Sequence, residues 1–362
     1  MATTYLTLTN KVLRELNETE LTSSTFASSR GIQTAVKDFV NKGINDIYNE
    51  AAEIPLLYAR TTQNLTTGDN EYDFPADFRK IDRDSFTIAP RELVTNGEFA
   101  SNISNWTTGD GSPSHTSSGN GRLNLNSSAA YQAITTTVNK EYKLQVRVLD
   151  VNSSGTGLIV RVGTSAGGTQ NLNTTLTVSD FGQGAILNTR FTATSTSSFI
   201  YLEASGVQLD VDYVRCSRSD VTRQKVLYIS YDDYLQNYKS IDDRNDSDVF
   251  GTPAKVYILP NFTAFGVTPI PSDDELTLSY NYYTTHTDLS AHGDNMSLPD
   301  RFAGLITDRA KYYTYMLRSD PQHAQLADRD YQRKLRLLKT DYSTKADYMR
   351  SDVRIYNVMS DR

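Results

Sequence analysis

The sequence predicts an α+β protein: helices at both ends, a small β layer between them, and an all-β sandwich inserted into that layer. Three observations carry this prediction. First, charge is unevenly spread: 16 of the 126 residues between 92 and 217 are charged, against 63 of the other 236. Second, this poorly charged stretch is rich in Ser, Thr, Asn and Gly and alternates in short β-like runs, the pattern of a sandwich with polar turns. Third, apolar residues outside it recur at helical spacing near both ends. Three segments follow: 1–91, helices then strands; 92–217, the inserted sandwich; and 218–362, strands then helices.

At the N-terminus Leu8, Val12, Leu13 and Leu16 share a helical face within 3–17. In the second helix Ile32, Val36, Phe39, Val40, Ile44, Ile47, Tyr48 and Ala51 form one stripe. Ser28 or Ser29 can cap it, and Pro55 lies beyond its end. Core packing accounts for such a stripe. A turn at Gly68-Asp69-Asn70 precedes a strand around Tyr72–Phe74, and 81–88 reads as another strand. After the insert come a strand at Lys225–Ser230, a short acidic helix at Tyr231–Lys239, and strands at 254–258 and Glu275–Tyr283. Without the insert, 81–88 and 221–230 would be neighbouring strands joined by a hairpin tip, where insertions are tolerated.

The last third is helical again. Leu298-Pro299-Asp300 opens a helix carrying Phe302, Leu305, Ile306, Tyr313 and Met316, and Asp320-Pro321 starts another. There Ala324, Ala327, Tyr331, Leu335, Leu338 and Tyr342 step by 3, 4, 4, 3 and 4 residues, a seam suited to a second helix. Arg329, Arg333, Lys334, Arg336 and Lys339 lie across it. They form either a solvated face or a docking helix for an acidic partner surface.

Net charge is -7 and the pI is near 5.2. That argues against wrapping nucleic acid by phosphate neutralisation and agrees with an acidic surface that DNA slides past. Of 23 tyrosines, 19 lie outside the insert, and this residue suits wet interfaces as well as cores. Cys216 is the lone cysteine, so no intrachain disulfide forms. It follows the strand-like Val211–Val214 run, which places it in a buried strand. The polar, Thr-rich start does not read as a secretion signal, and no apolar run approaches the roughly 18 residues a membrane span needs. His115, His286, His292 and His323 lack metal-ligand spacing. Asp242-Asp243 and Asp273-Asp274 sit in turn-like stretches. With no phosphate loop and no Ser-His-Asp arrangement, the chain does not read as an enzyme.

Within the insert, Leu144, Val146 and Val148 point to one face, so Lys143, Gln145 and Arg147 point to the other. Likewise Ile200, Leu202 and Ala204 oppose Phe199, Tyr201 and Glu203. A sugar site needs an aromatic plate and bidentate polar groups. Tyr201, Gln145, Arg147 and Glu203 supply those types if their strands share a face. Trp106, the only tryptophan, is a further candidate plate, although its place just after the opening strand suits the core.

Four features outside the insert together resemble the head-to-tail adaptor proteins of short-tailed phages, the tail tubular A-like group. They are Gly68 with Tyr72-Asp73-Phe74-Pro75-Ala76-Asp77-Phe78, Gly251-Thr252-Pro253 with Tyr257, Thr268-Pro269-Ile270-Pro271 ahead of a Leu-x-Leu-x-Tyr strand, and Leu298-Pro299 before the final helices. The resemblance implies a structural virion protein of the neck or tail, assembled in the host cytoplasm. It implies a ring, commonly of twelve copies, that binds the portal protein, extends the channel for passing DNA and supports the tail nozzle protein. The C-terminal segment would dock on the portal.

The insert opens with Leu93-Val94-Thr95-Asn96-Gly97-Glu98-Phe99, then Trp106, and closes on Val211-Asp212-Tyr213-Val214. This resembles galactose-binding-like carbohydrate-binding modules. It implies a jelly roll, a host-surface glycan as partner, and in some members a structural Ca²⁺. Glu98 and Asp212 are the carboxylates placed for that ion, whose preference is for hard oxygen ligands. No other cofactor is implied. Two rival readings are a cell-wall glycan hydrolase with a targeting module and a receptor-binding tail component. The lack of β-repeat segments counts against the latter.

Overall fold

The computed structural model describes residues 3–51, 57–117, 120–151, 157–177, 185–296 and 298–342. Helices α1 (Tyr5–Glu15) and α2 (Ile32–Glu50) come first. Strands β1 (Tyr58–Asn64), β2 (Glu71–Asp73), β3 (Phe78–Ile81) and β4 (Thr87–Pro90) follow. The sandwich comprises β5 (Thr107–Asp110), β6 (Ser114–Thr116), β7 (Arg122–Asn126), β8 (Ala129–Thr135), β9 (Glu141–Val151), β10 (Gly157–Gly163), β11 (Leu172–Leu176), β12 (Ala185–Thr192), β13 (Ser197–Ser205) and β14 (Gln208–Arg218). The chain continues with β15 (Gln224–Lys225), β16 (Leu227–Ile229), α3 (Tyr231–Asn237), β17 (Lys255–Ile258), β18 (Ala264–Thr268), β19 (Leu276–Thr284), α4 (Ala303–Leu317) and α5 (Pro321–Tyr342). Two compact units result. One comprises Met1–Arg60, Pro75–Asp82 and Asn281–Arg362; the other comprises Thr61–Phe74 and Arg83–Tyr280. No helix among the described residues is long and apolar enough to cross a membrane.

The first unit is built on α1, α2, α4 and α5. Thr4 caps α1 by accepting a hydrogen bond from the Thr7 amide, satisfying one free donor of the first turn. The α2 cap is Gly31 in the left-handed region at φ 57, not the expected Ser28 or Ser29. Ser29 instead meets Thr34 and Lys37. Val36, Val40, Ile44, Ile47 and Tyr48 of α2 are buried with Leu305, Ile306 and Ala310 of α4. Gly43 permits close approach of these helices: a Cβ there would sit 3.3 Å from both Arg309 Cβ and the Ile306 carbonyl oxygen. Arg309 binds Asp46 of α2 at 2.6 Å and Asp328 of α5 at 3.0 Å.

The docking seam predicted on α5 faces inward. Ala324, Ala327, Tyr331, Leu335 and Leu338 are all buried, the last three in one core with α2 and α4. A seam repeating every 3.5 residues needs a helical partner, and α4 of the same chain is that partner. The α5 arginines Arg329, Arg333 and Arg336 are exposed. Tyr342 closes α5, but its side chain, like residues 343–362 and their expected portal docking, lies outside the described residues. Met316, expected on the buried face of α4, is 51% exposed.

The second unit holds the sandwich and most of the small β layer. The strand expected across 81–88 is broken; its second part is β4, which pairs antiparallel with β15 in the register Ile88–Gln224 and Thr87–Lys225. The insertion therefore leaves and returns through one short hairpin stem. A second sheet runs β16-β17-β18-β2. Ser230 caps α3 on the Asp233 amide.

In the sandwich, β11-β10-β13-β8-β5 form one sheet and β12-β9-β14-β7-β6 the other. Their inner faces supply Val160, Ile200 and Leu202 on one side, and Leu144, Val146, Val148 and the fully buried Cys216 on the other. At the end of β14, Arg218 is 6% exposed and binds Asp273 at 2.7 Å as well as Asp220. Nearby, the Tyr142 hydroxyl donates to Glu275 at 2.7 Å. These contacts tie the sandwich to the turn before β19.

Candidate functional site

The outward face of the β11-β10-β13-β8-β5 sheet gathers aromatic and charged side chains. Register sets them in a row. Tyr201 of β13 lies opposite Tyr131 of β8 and Arg161 of β10. Thr107 of β5 extends the row past Tyr131, and Asn173 of β11 extends it past Arg161. Residues directly opposite each other in a sheet share a face, so all five side chains point the same way.

The Tyr131 and Tyr201 rings lie 6.2 Å apart at 16°, nearly parallel, and Phe199 is 6.1 Å from Tyr131. Gly109 makes room for this: a Cβ there would fall 2.6 Å from the Tyr201 ring. The Arg161 guanidinium lies 5.7 Å from the Tyr201 centroid and binds Glu203 at 2.7 Å. Arg161 and Glu203 are 25% and 30% exposed, so the pair is partly open to solvent at the sheet surface. Burial, then the Glu203 charge, pushes the Tyr201 hydroxyl above its ordinary pKa. It therefore stays protonated and able to donate. Flat rings beside a guanidinium and a carboxylate suit a ligand with apolar faces and polar edges.

The four residues expected to form a sugar site are not brought together. Tyr201 and Glu203 lie on this sheet, whereas Gln145 and Arg147 belong to β9 of the opposite sheet. Both pairs point outward, but from opposite sides of the sandwich. Gln145 donates to Asn188 at 2.5 Å and Arg147 binds Asp212 at 3.2 Å. Trp106 is core, not a plate: it is 8% exposed, packs 5.5 Å from Phe99 and donates its indole N–H to the Asn96 carbonyl. The two proposed Ca²⁺ ligands are each held by an arginine, Asp212 by Arg147 and Glu98 by Arg215 at 2.6 Å. No cluster of three or more His, Cys, Asp or Glu among the described residues is arranged to hold a metal ion. Tyr131 and Arg161 escaped sequence reasoning. Alternation in Val160-Arg161-Val162 does turn Arg161 outward, but only strand pairing sets it beside Tyr201.

Across both units the sequence matches the family described as SU10 adaptor protein, over residues 3–149 and 156–355. The chain belongs to the SU10 adaptor family. The matched ranges run through the sandwich as well as the helical ends. Membership of this phage adaptor family makes the chain a structural virion component. Among solved structures, it is similar to the CBM22-1 xylan-binding domain from Paenibacillus barcinonensis Xyn10C at 14% identity and TM-score 0.30, covering 37% of this chain and 98% of that one. It is also similar to TmCBM61 in complex with β-1,4-galactotriose, at 14% identity and TM-score 0.28, covering 36% and 99%. A third likeness is to the enzymatically active domain of bacteriophage CBA120 tailspike protein 4, at 14% identity and TM-score 0.29, covering 35% and 21%. No curated protein matches the sequence.

Proposed function

We propose that this SU10-family chain is a head-to-tail adaptor of the tail tubular A-like type. It forms a ring of about twelve copies between the portal and the tail nozzle and extends the channel through which DNA passes. In this reading 1–91 and 218–362 build the adaptor, the C-terminal segment docks on the portal, and 92–217 is displayed outward. The family match over both ends of the chain is the observation that supports it. A net charge of -7 suits a conduit that must not retain DNA.

The displayed sandwich binds host-surface glycan through Tyr131, Tyr201 and Phe199 as stacking plates, with Arg161 and Glu203 meeting hydroxyls. Many copies on one ring make weak individual binding sufficient by avidity. The test of the adaptor role is light scattering and electron microscopy of the full chain with and without portal protein. A ring that forms on the portal is expected; a chain that stays monomeric and ignores the portal overturns the reading. Full-length protein on a glycan array tests the sandwich. Binding removed by Tyr201→Ala is expected, and silence across the array removes the glycan role.

A further inference from the structure

Two exposed surfaces, one on each unit, combine apolar side chains with charge of opposite sign. The first is the outer face of α5. Its buried seam is already filled, yet Leu326 and Leu337 are 49% and 60% exposed. They lie three helical turns apart on one stripe, with Arg333 between them and Arg329 and Arg336 alongside. Among the described residues Arg329 and Arg336 form no ion pair, and Arg333 meets only Asp330 at 3.9 Å.

The second surface is α3 and the loop after it. Residues 231–248 hold six aspartates against Lys239 and Arg244, and Leu235 and Ile241 are 42% and 57% exposed. Beside Ile241 opens a cleft of about 140 Å³ walled by Tyr238, Ala254, Lys255 and Pro269, with Asp242 in its lining. One Asp242 oxygen accepts from the Thr268 hydroxyl at 3.1 Å. The other, Oδ2, is buried and has the Tyr234 hydroxyl as its neighbour. An apolar cleft beside the exposed carboxylates of Asp243 and Asp246 fits an arginine side chain, stem against the walls and guanidinium among the acids.

We propose that the outer face of α5 in one copy docks on the Ile241–Asp242 cleft of the next. Leu326 and Leu337 cover Leu235 and Ile241, and the α5 arginines meet the exposed aspartates beside the cleft, Asp243 and Asp246. This rests on the ring reading and names the surfaces that make the ring. The occupant is a second copy because this same chain carries both halves, a basic apolar helix and an acidic apolar cleft. The halves differ, so the contact is heterologous; such contacts run head to tail and close into a ring when the rotation allows. Opposite charges steer the encounter and make it sensitive to salt.

The test is light scattering on the full chain under conditions where the wild type assembles, on portal protein if that is required. One variant carries Arg329→Glu and Arg333→Glu, the other Asp243→Arg and Asp246→Arg. All four are exposed positions, and circular dichroism verifies folding. Each variant alone is expected to raise the concentration for half-assembly by about tenfold or more. An equimolar mixture of the two is expected to assemble again, because every contact in an alternating ring then joins opposite charges. Assembly untouched by either variant, or a mixture that stays apart while both are folded, overturns this interface and leaves the ring reading standing. A wild type that never assembles, even on portal, removes both. Variants that lose only portal binding while self-assembly persists assign α5 to another partner and also overturn the proposal.

Discussion

Tyr201 concentrates the residue-scale chemistry. It stacks on Tyr131, faces Arg161 and sits over Gly109. Under the proposed glycan role, Tyr201→Ala is expected to weaken binding about five- to thirtyfold, since an aromatic contact and its buried area are worth about 1–2 kcal/mol. Calorimetry on the full chain measures this, and assembly should be unchanged. Gly109→Val tests the same plate from below: a side chain in the space now held by the ring should displace Tyr201 and lower affinity similarly without unfolding the sandwich. Tyr201 and Glu203 were legible from alternation alone, because period-two patterning gives the facing of each side chain. Gln145 and Arg147 were misplaced because alternation says outward without saying from which sheet.

At the scale of elements, α5 shows one helix with two different faces. Leu335 is buried in the core while Arg336, its neighbour, is exposed. Leu335→Ala should cost about 2–5 kcal/mol, the range for truncating a buried leucine, whereas Arg336→Ala should stay within about 0.5 kcal/mol. Urea unfolding of the full chain separates the two outcomes. On α2, Gly43→Leu should destabilise by about 1–3 kcal/mol by overpacking against α4, despite the gain in helix propensity. The seam on α5 was readable as a seam. Its partner was not, since a repeat of apolar positions specifies a contacting helix and leaves open whether it belongs to this chain or another.

For the whole molecule, the junction between sandwich and β layer sets a pH response. Burial pushes the carboxyls of Glu275 and Glu92 above their ordinary pKa, so the folded chain holds those protons more tightly than the unfolded one. Their contribution to stability therefore falls as pH rises from 4.5 through the folded values. Asp220 is held down by Arg218; its contribution is present above 3.8 and lost as pH falls through its folded value. Glu275→Gln keeps an acceptor for the Tyr142 hydroxyl and removes one of the two charges. It should flatten the decline on the alkaline side, measured by unfolding from about pH 4 to about pH 8. A slope identical to wild type would show that Glu275 does not titrate in this range.

The sequence by itself determined the character of each stretch: helical stripes in α1, α2, α4 and α5, alternation in β9 and β13, and a poorly charged β insert on a helix-rich chain. These follow from local periods of 3.6 and 2, which are written in neighbouring residues. Only the tertiary structure decided which strands share a sheet, which face unites Tyr131, Tyr201 and Arg161, and that the α5 seam closes on α4. The physical reason is that sheet pairing is made by backbone hydrogen bonds, which are nearly blind to side-chain identity. Register between distant strands is settled by the burial of both inner faces at once.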